Sequence, residues 1–137
     1  MSEQITVSGL VATDVKRRET ADNLLMCSFR LAANSRRFDA AKNAWTTTST
    51  NWFTVVAFRQ LAKNILDSVS KGDRIVVAGK LKIRDWDNGE RSGTSIEIDA
   101  DHVGLDLNFG VSSFDRVVIR PDEDELEEEL EEELQPA

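Results

Sequence analysis

Asn51-Trp52-Phe53-Thr54-Val55-Val56-Ala57-Phe58 runs directly into Arg59-Gln60-Leu61-Ala62-Lys63-Asn64-Ile65-Leu66-Asp67-Ser68-Val69, and the change of period between the two stretches decides the fold. In the first, Phe53, Val55 and Ala57 alternate with Trp52, Thr54, Val56 and Phe58. A period of two is a strand with two unlike faces. In the second, Leu61, Ala62, Ile65, Leu66 and Val69 recur at helical spacing, with Gly72 just beyond as a stop. Upstream, residues 5–11 alternate with Ile5, Val7 and Val11 on one face. Residues 24–33 do so with Leu25, Cys27, Phe29 and Leu31 inward. Between and after them, residues 14–23 read as a polar loop. Residues 34–50 read as a long polar connection holding Arg36, Arg37, Phe38, Lys42 and Trp45. Downstream, residues 73–84 form a fourth strand with Ile75, Val77, Leu81 and Ile83 in the core phase. Asp87-Asn88-Gly89 signals a turn, and residues 94–103 form a fifth strand with Ile96 and Ile98 inward.

Three strands, one helix and two strands do not alternate as a parallel α/β sheet would. One short helix between the third and fourth of five strands fits a mainly β, five-stranded Greek-key barrel of the oligonucleotide/oligosaccharide-binding (OB) type. Residues 1–112 are expected to form this domain, 113–120 a connector, and 121–137 an acidic tail. Residues 105–120 are expected to pack back on the barrel or on a neighbour.

The chain has 137 residues, 40% hydrophobic and 31% charged, an ordinary composition for one soluble domain. Apolar runs such as Val55–Phe58 stop at four residues, far short of the ~20 that a membrane helix needs. The polar start, Met1-Ser2-Glu3-Gln4, has no signal core, and Cys27 alone allows neither an internal disulfide nor a multi-cysteine zinc site. A reducing cytoplasm is the expected setting. The net charge of −8 is uneven: residues 115–137 hold eleven Asp and Glu against two Arg, a net of −9, which leaves +1 over residues 1–114.

The outer phases carry the chemistry. Trp52 and Phe58 lie opposite the core phase of the third strand, and Lys80, Lys82, Arg84 and Trp86 share one phase of the fourth. Aromatics interleaved with cations suit single-stranded nucleic acid, because every base offers a π-face and every phosphate a charge. A solvated outer sheet face, or aromatics buried in a partner, would use the same pattern. An OB barrel acting as a protein-interaction module, with an acidic tail imitating nucleic acid, is the alternative. Other chemistry is weakly signalled. His102 has no nucleophile beside it. Glu97, Asp99 and Asp101 share a phase that could hold Mg²⁺ but reads as a solvated acidic face. Gly89 and Gly93 lack the rest of a phosphate loop, and Cys27 sits in the core phase. No cofactor, metal or catalysis is expected.

Across residues 4–110 the chain resembles the bacterial single-stranded DNA-binding protein family. The resemblance rests on Ile5–Val11, Asn51–Phe58, Gln60-Leu61-Ala62, Lys71–Leu81, Arg84-Asp85-Trp86 and Ile96–Asp101. The stretch Gly104–Gly110 is similar to the actinobacterial branch. The resemblance implies base stacking by Trp52, Phe58, Trp86 and Phe38. It implies phosphate contacts from Lys82 and Arg84, and assembly as a homotetramer; the residues themselves add Lys80, Arg36, Arg37 and Arg59 as further candidate bases on the path. Some positions depart from the pattern. Arg59-Gln60 stands where Gly-Lys is common, Asp85 where a base is common, and Thr54 where some members have Arg. The usual acidic tip ending in Pro-Phe, which docks partner proteins, has no counterpart in Leu134-Gln135-Pro136-Ala137. Leu126, Leu130 and Leu134 recur every four residues in the tail, yet like charges surround them, so a solvated, disordered segment is expected rather than a helix.

Overall fold

The computed structural model describes residues 3–117. The strands are β1 (Glu3–Val11), β2 (Lys16–Glu19), β3 (Leu25–Asp39), β4 (Ala44–Phe58), β5 (Arg74–Asp87) and β6 (Ser92–Leu105), and the helix α1 (Arg59–Ser68) joins β4 to β5. The sheet order is β1-β5-β6-β4-β3-β2, and a further β1–β3 pairing, Leu10 with Ala32 and Val11 with Leu31, closes the first five into a barrel. All pairings are antiparallel except β4 with β6. This is the mainly β, OB-type barrel with one short helix.

Alternation fills the barrel. Val7, Val11, Cys27, Phe29, Leu31, Val55, Ala57, Ile75, Val77, Ile98 and Ala100 are buried in it, and α1 adds Ala62 and Ile65. Helix α1 packs against β3, β4 and β6 with its apolar stripe inward.

Four expectations are corrected. Residues 14–23 are not all loop: β2 pairs with β3 as a sixth strand, Lys16 opposite Ser28 and Arg18 opposite Met26. Residues 34–50 are not a loop either. They continue β3 and β4 as a hairpin arm that turns at residues 40–43. Both segments are polar because they lie beyond the core, so the apolar half of the strand pattern is missing. Third, Ile83 and Ile96 are not core residues. They pair across β5 and β6 where that hairpin has left the barrel, 64% and 38% exposed. Finally, Gly72 does not end α1. Val69, in extended conformation, closes the helix by donating its N–H to the Ile65 carbonyl (2.8 Å), and Gly72 takes φ +97° in the turn that follows.

Beyond β6 the chain folds back on the barrel as far as Phe109. Asp106 N–H donates to the Arg74 carbonyl (2.9 Å), and the Arg74 guanidinium lies 4.6 Å from the centre of the Phe109 ring. Leu107, Val111 and Phe114 remain exposed. The expected tail, 121–137, lies outside the described residues.

Candidate nucleic-acid interface

The outward phase of four adjacent strands forms one continuous face. On β4 it carries Trp52, Thr54, Val56 and Phe58. The β3 residues opposite them are Ala32, Arg30, Ser28 and Met26. On the other side, β6 presents Glu97 beside Thr54 and Asp99 beside Val56, and β5 sets Lys80 opposite Asp99 and Lys82 opposite Glu97. Arg84 and Trp86 follow along β5. The pairing thus gathers residues from distant parts of the chain that sequence alone showed only as separate alternations.

Trp52 and Trp86 are 48% and 44% exposed, so neither is spent on the core. Phe58 is half-buried. With Met26 and Val56 it forms the apolar part of a cavity of about 260 Å³ completed by Lys82, Arg84, Glu97 and Asp99. Trp86 owes its position to Gly93 across the hairpin. A Cβ at Gly93 would come within 2.7 Å of the indole, so only glycine lets the ring lie on the β6 backbone.

Two of these cations are already paired. Lys82 Nζ lies 3.4 Å from Asp99 Oδ2 and Arg84 Nε 2.8 Å from Glu97 Oε2. Two of the three carboxylates read as a possible metal site are therefore turned to cations. Asp101 is separated from them as the extra residue of a bulge, since Ala78 pairs with His102 and Gly79 with Ala100. No group of three His, Cys, Asp or Glu among the described residues could hold a metal ion.

Of the expected site residues, Trp52, Phe58, Trp86, Lys80, Lys82 and Arg84 share this face. Phe38 lies further out on the β3–β4 arm. Arg37 alternates to the other face of that arm. Arg59 lies apart at the start of α1, lining a groove with Asp22, Asn23, Gln60 and Lys63. Arg36 is in β3, and its side chain is outside the described set. Sequence reasoning missed Arg30, whose guanidinium sits 5.5 Å from the Trp52 ring centre and whose Nη1 donates to Thr54 Oγ1 (3.0 Å). Thr54 stands where the resemblance has some members with Arg, and here a cation arrives from the neighbouring strand instead. Lys16 and Arg18 were also missed. They pair with Ser28 and Met26 and so extend the same face. The polar phase opposite Cys27, Phe29 and Leu31 was the available signal for Arg30.

A closed OB barrel with an open face of aromatics and bases is the architecture of an oligonucleotide-binding protein. The chain belongs to the single-strand binding protein family, which matches residues 2–106. It is 46% identical over 112 residues to single-stranded DNA-binding protein 2 of Tropheryma whipplei (strain Twist), an alignment covering 82% of this chain and 74% of that one. Among solved structures, the small single-stranded DNA-binding protein of Streptomyces coelicolor superposes with TM-score 0.73 at 44% identity, covering 80% of this chain and 99% of that one. The second single-stranded DNA-binding protein of Mycobacterium smegmatis superposes with TM-score 0.64 at 28% identity, covering 85% and 100%. Both the branch suggested by Gly104–Gly110 and the fold agree with these relatives. Family membership places the chain among binding proteins and not among enzymes.

Proposed function

We propose that this chain binds single-stranded DNA with little regard to sequence and protects exposed strands during replication, recombination, repair or uptake. The observation that carries this reading is the convergence of Trp52, Phe58 and Trp86 with Lys80, Lys82 and Arg84 on one face of the barrel. Bases stack on the three rings, and the cations, with Arg30 beside Trp52, follow the phosphates. Residues 1–112 form the binding domain, 113–120 a connector and 121–137 an acidic tail. The protein works in the cytoplasm, beside the DNA, as a homotetramer. The exposed Leu105, Leu107, Phe109, Val111 and Phe114 offer apolar surface for such an assembly to cover.

A tryptophan-fluorescence titration with oligo-dT at several salt concentrations tests the reading. Trp52→Ala and Trp86→Ala should each weaken binding by ~1–3 kcal/mol with little change in melting temperature. Lys82→Ala should lower the salt slope by up to about 0.7. Affinity that ignores salt, or a Trp52→Ala protein that unfolds yet binds normally where folded, would sink it.

A further inference from the structure

The β3–β4 arm carries an aromatic pair whose facing is set by one irregularity. Asn34 pairs with Thr50 and Ser35 with Ser49, but Arg36 then pairs with Thr47, so Thr48 is an extra residue in β4. An extra residue exchanges odd for even positions in a strand whose side chains alternate. Trp52 faces outward from an even position, and beyond the bulge the same face of β4 is reached from odd ones, Trp45 among them. No residue is inserted in β3, so Phe38 keeps the phase of Ala32, which pairs with Trp52. Without Thr48, Trp45 would point to the opposite side of the arm.

Phe38 and Trp45 are direct partners, with ring centres 5.5 Å apart and planes at 64°. They are 47% and 67% exposed. An edge-on contact leaves ring faces open to a third aromatic group. The arm is basic: residues 34–50 hold Arg36, Arg37 and Lys42 against Asp39 alone. Asp39 is occupied at the turn, where its Oδ1 accepts the Ala41 N–H (2.9 Å).

We propose that Trp45 is a further base-stacking residue, and that it forms with Phe38 an outlying station for the strand that crosses the barrel face. This rests on the proposed function of that face. Trp45 and Trp52 are seven positions apart on β4, one of them taken up by the bulge, which leaves roughly 20 Å at about 3.3 Å per residue. A strand must therefore be long enough to leave the barrel before it meets the pair.

The test compares fluorescein-labelled oligo-dT of roughly 6 and roughly 16 nucleotides, spanning the site sizes of OB folds. Trp45→Ala should weaken the longer probe about 5- to 150-fold and the shorter far less. Trp45→Phe should restore most of the loss, and melting temperature and assembly mass should not move. In a Trp52→Phe/Trp86→Phe protein, Trp45 remains the sole tryptophan, and its emission should be quenched by the longer probe only. Two results overturn the proposal while leaving the barrel face standing. In one, Trp45→Ala binds the long probe normally although Trp52→Ala weakens both probes. In the other, Trp45→Ala loses assembly mass, which places the ring between copies of the chain. If Trp52→Ala is silent as well, the barrel-face reading fails and takes this one with it.

Discussion

Cys27 shows how completely burial decides the chemistry of a side chain. It is buried in the barrel, where desolvation pushes the thiol from 9.0 up to about 11, against a smaller lowering by a backbone hydrogen bond from Ala57. The thiol rather than the thiolate is held, so the folded protein should resist alkylation by iodoacetamide and react only when unfolded. The folded-state pKa lies above the unfolded one, so the contribution to stability is present below pH 9 and fades as pH rises toward 11. A Cys27→Ala protein should therefore lose less melting temperature between pH 9 and pH 11 than the parent does; equal losses would show that the thiol carries none of the alkaline instability. The core phase of Cys27 was legible in sequence, as was the outward phase of Trp52, because alternation records both. The dependence of Trp86 on Gly93 was not, since the two meet only through strand register. Arg59 lies between these cases. It has φ +60° where the family resemblance has glycine, so the departure noted in sequence proves to be an L-residue in left-handed backbone.

At the level of elements, the barrel was readable and its extensions were not. Strand phases and the helix stripe reflect burial, and burial is what an apolar pattern encodes. The arm 34–50 and strand β2 bury little, so no alternation marks them and turn-like residues suggest loops; at the outer end of the β5–β6 hairpin the alternation runs on past the barrel, which made the exposed Ile83 and Ile96 read as core. The same limit hid the ion pairs of the candidate site. Glu97 and Asp99 read as a free acidic face, yet register sets Glu97 opposite Lys82 and Asp99 opposite Lys80, and they pair with Arg84 and Lys82. On the proposed function, these carboxylates would compete with phosphate for Lys82 and Arg84. Asp99→Asn and Glu97→Gln should each tighten oligo-dT binding at low salt and steepen its salt dependence, by up to about 0.7 in slope for each cation released. If the carboxylates chiefly hold the bases in position, affinity will fall instead. A titration across salt separates the two outcomes by sign.

On the scale of the whole molecule, charge is divided between a near-neutral body and a strongly negative end. Residues 121–137 hold ten carboxylates and no base, and they follow a domain that presents Lys80, Lys82, Arg84 and Arg30 on one face. A polyanion tethered to that face competes with DNA at high effective concentration, and no fixed structure in the tail is needed for it to do so. Removing residues 121–137 should tighten oligo-dT binding at low salt. The gain should shrink above roughly 0.2 M salt, where the Debye length is below about 8 Å. Melting temperature should hold, because the deleted segment contributes only Leu126, Leu130 and Leu134 to any apolar contact. Those leucines supply the competing account: spaced every four residues, they would line one side of a helix and could dock it on the barrel or a neighbouring subunit. Truncation would then lower the melting temperature and change the assembly mass. Affinity, melting temperature and mass measured together on the shortened chain decide between them, and weaker binding with a lost assembly would end the competing-tail account.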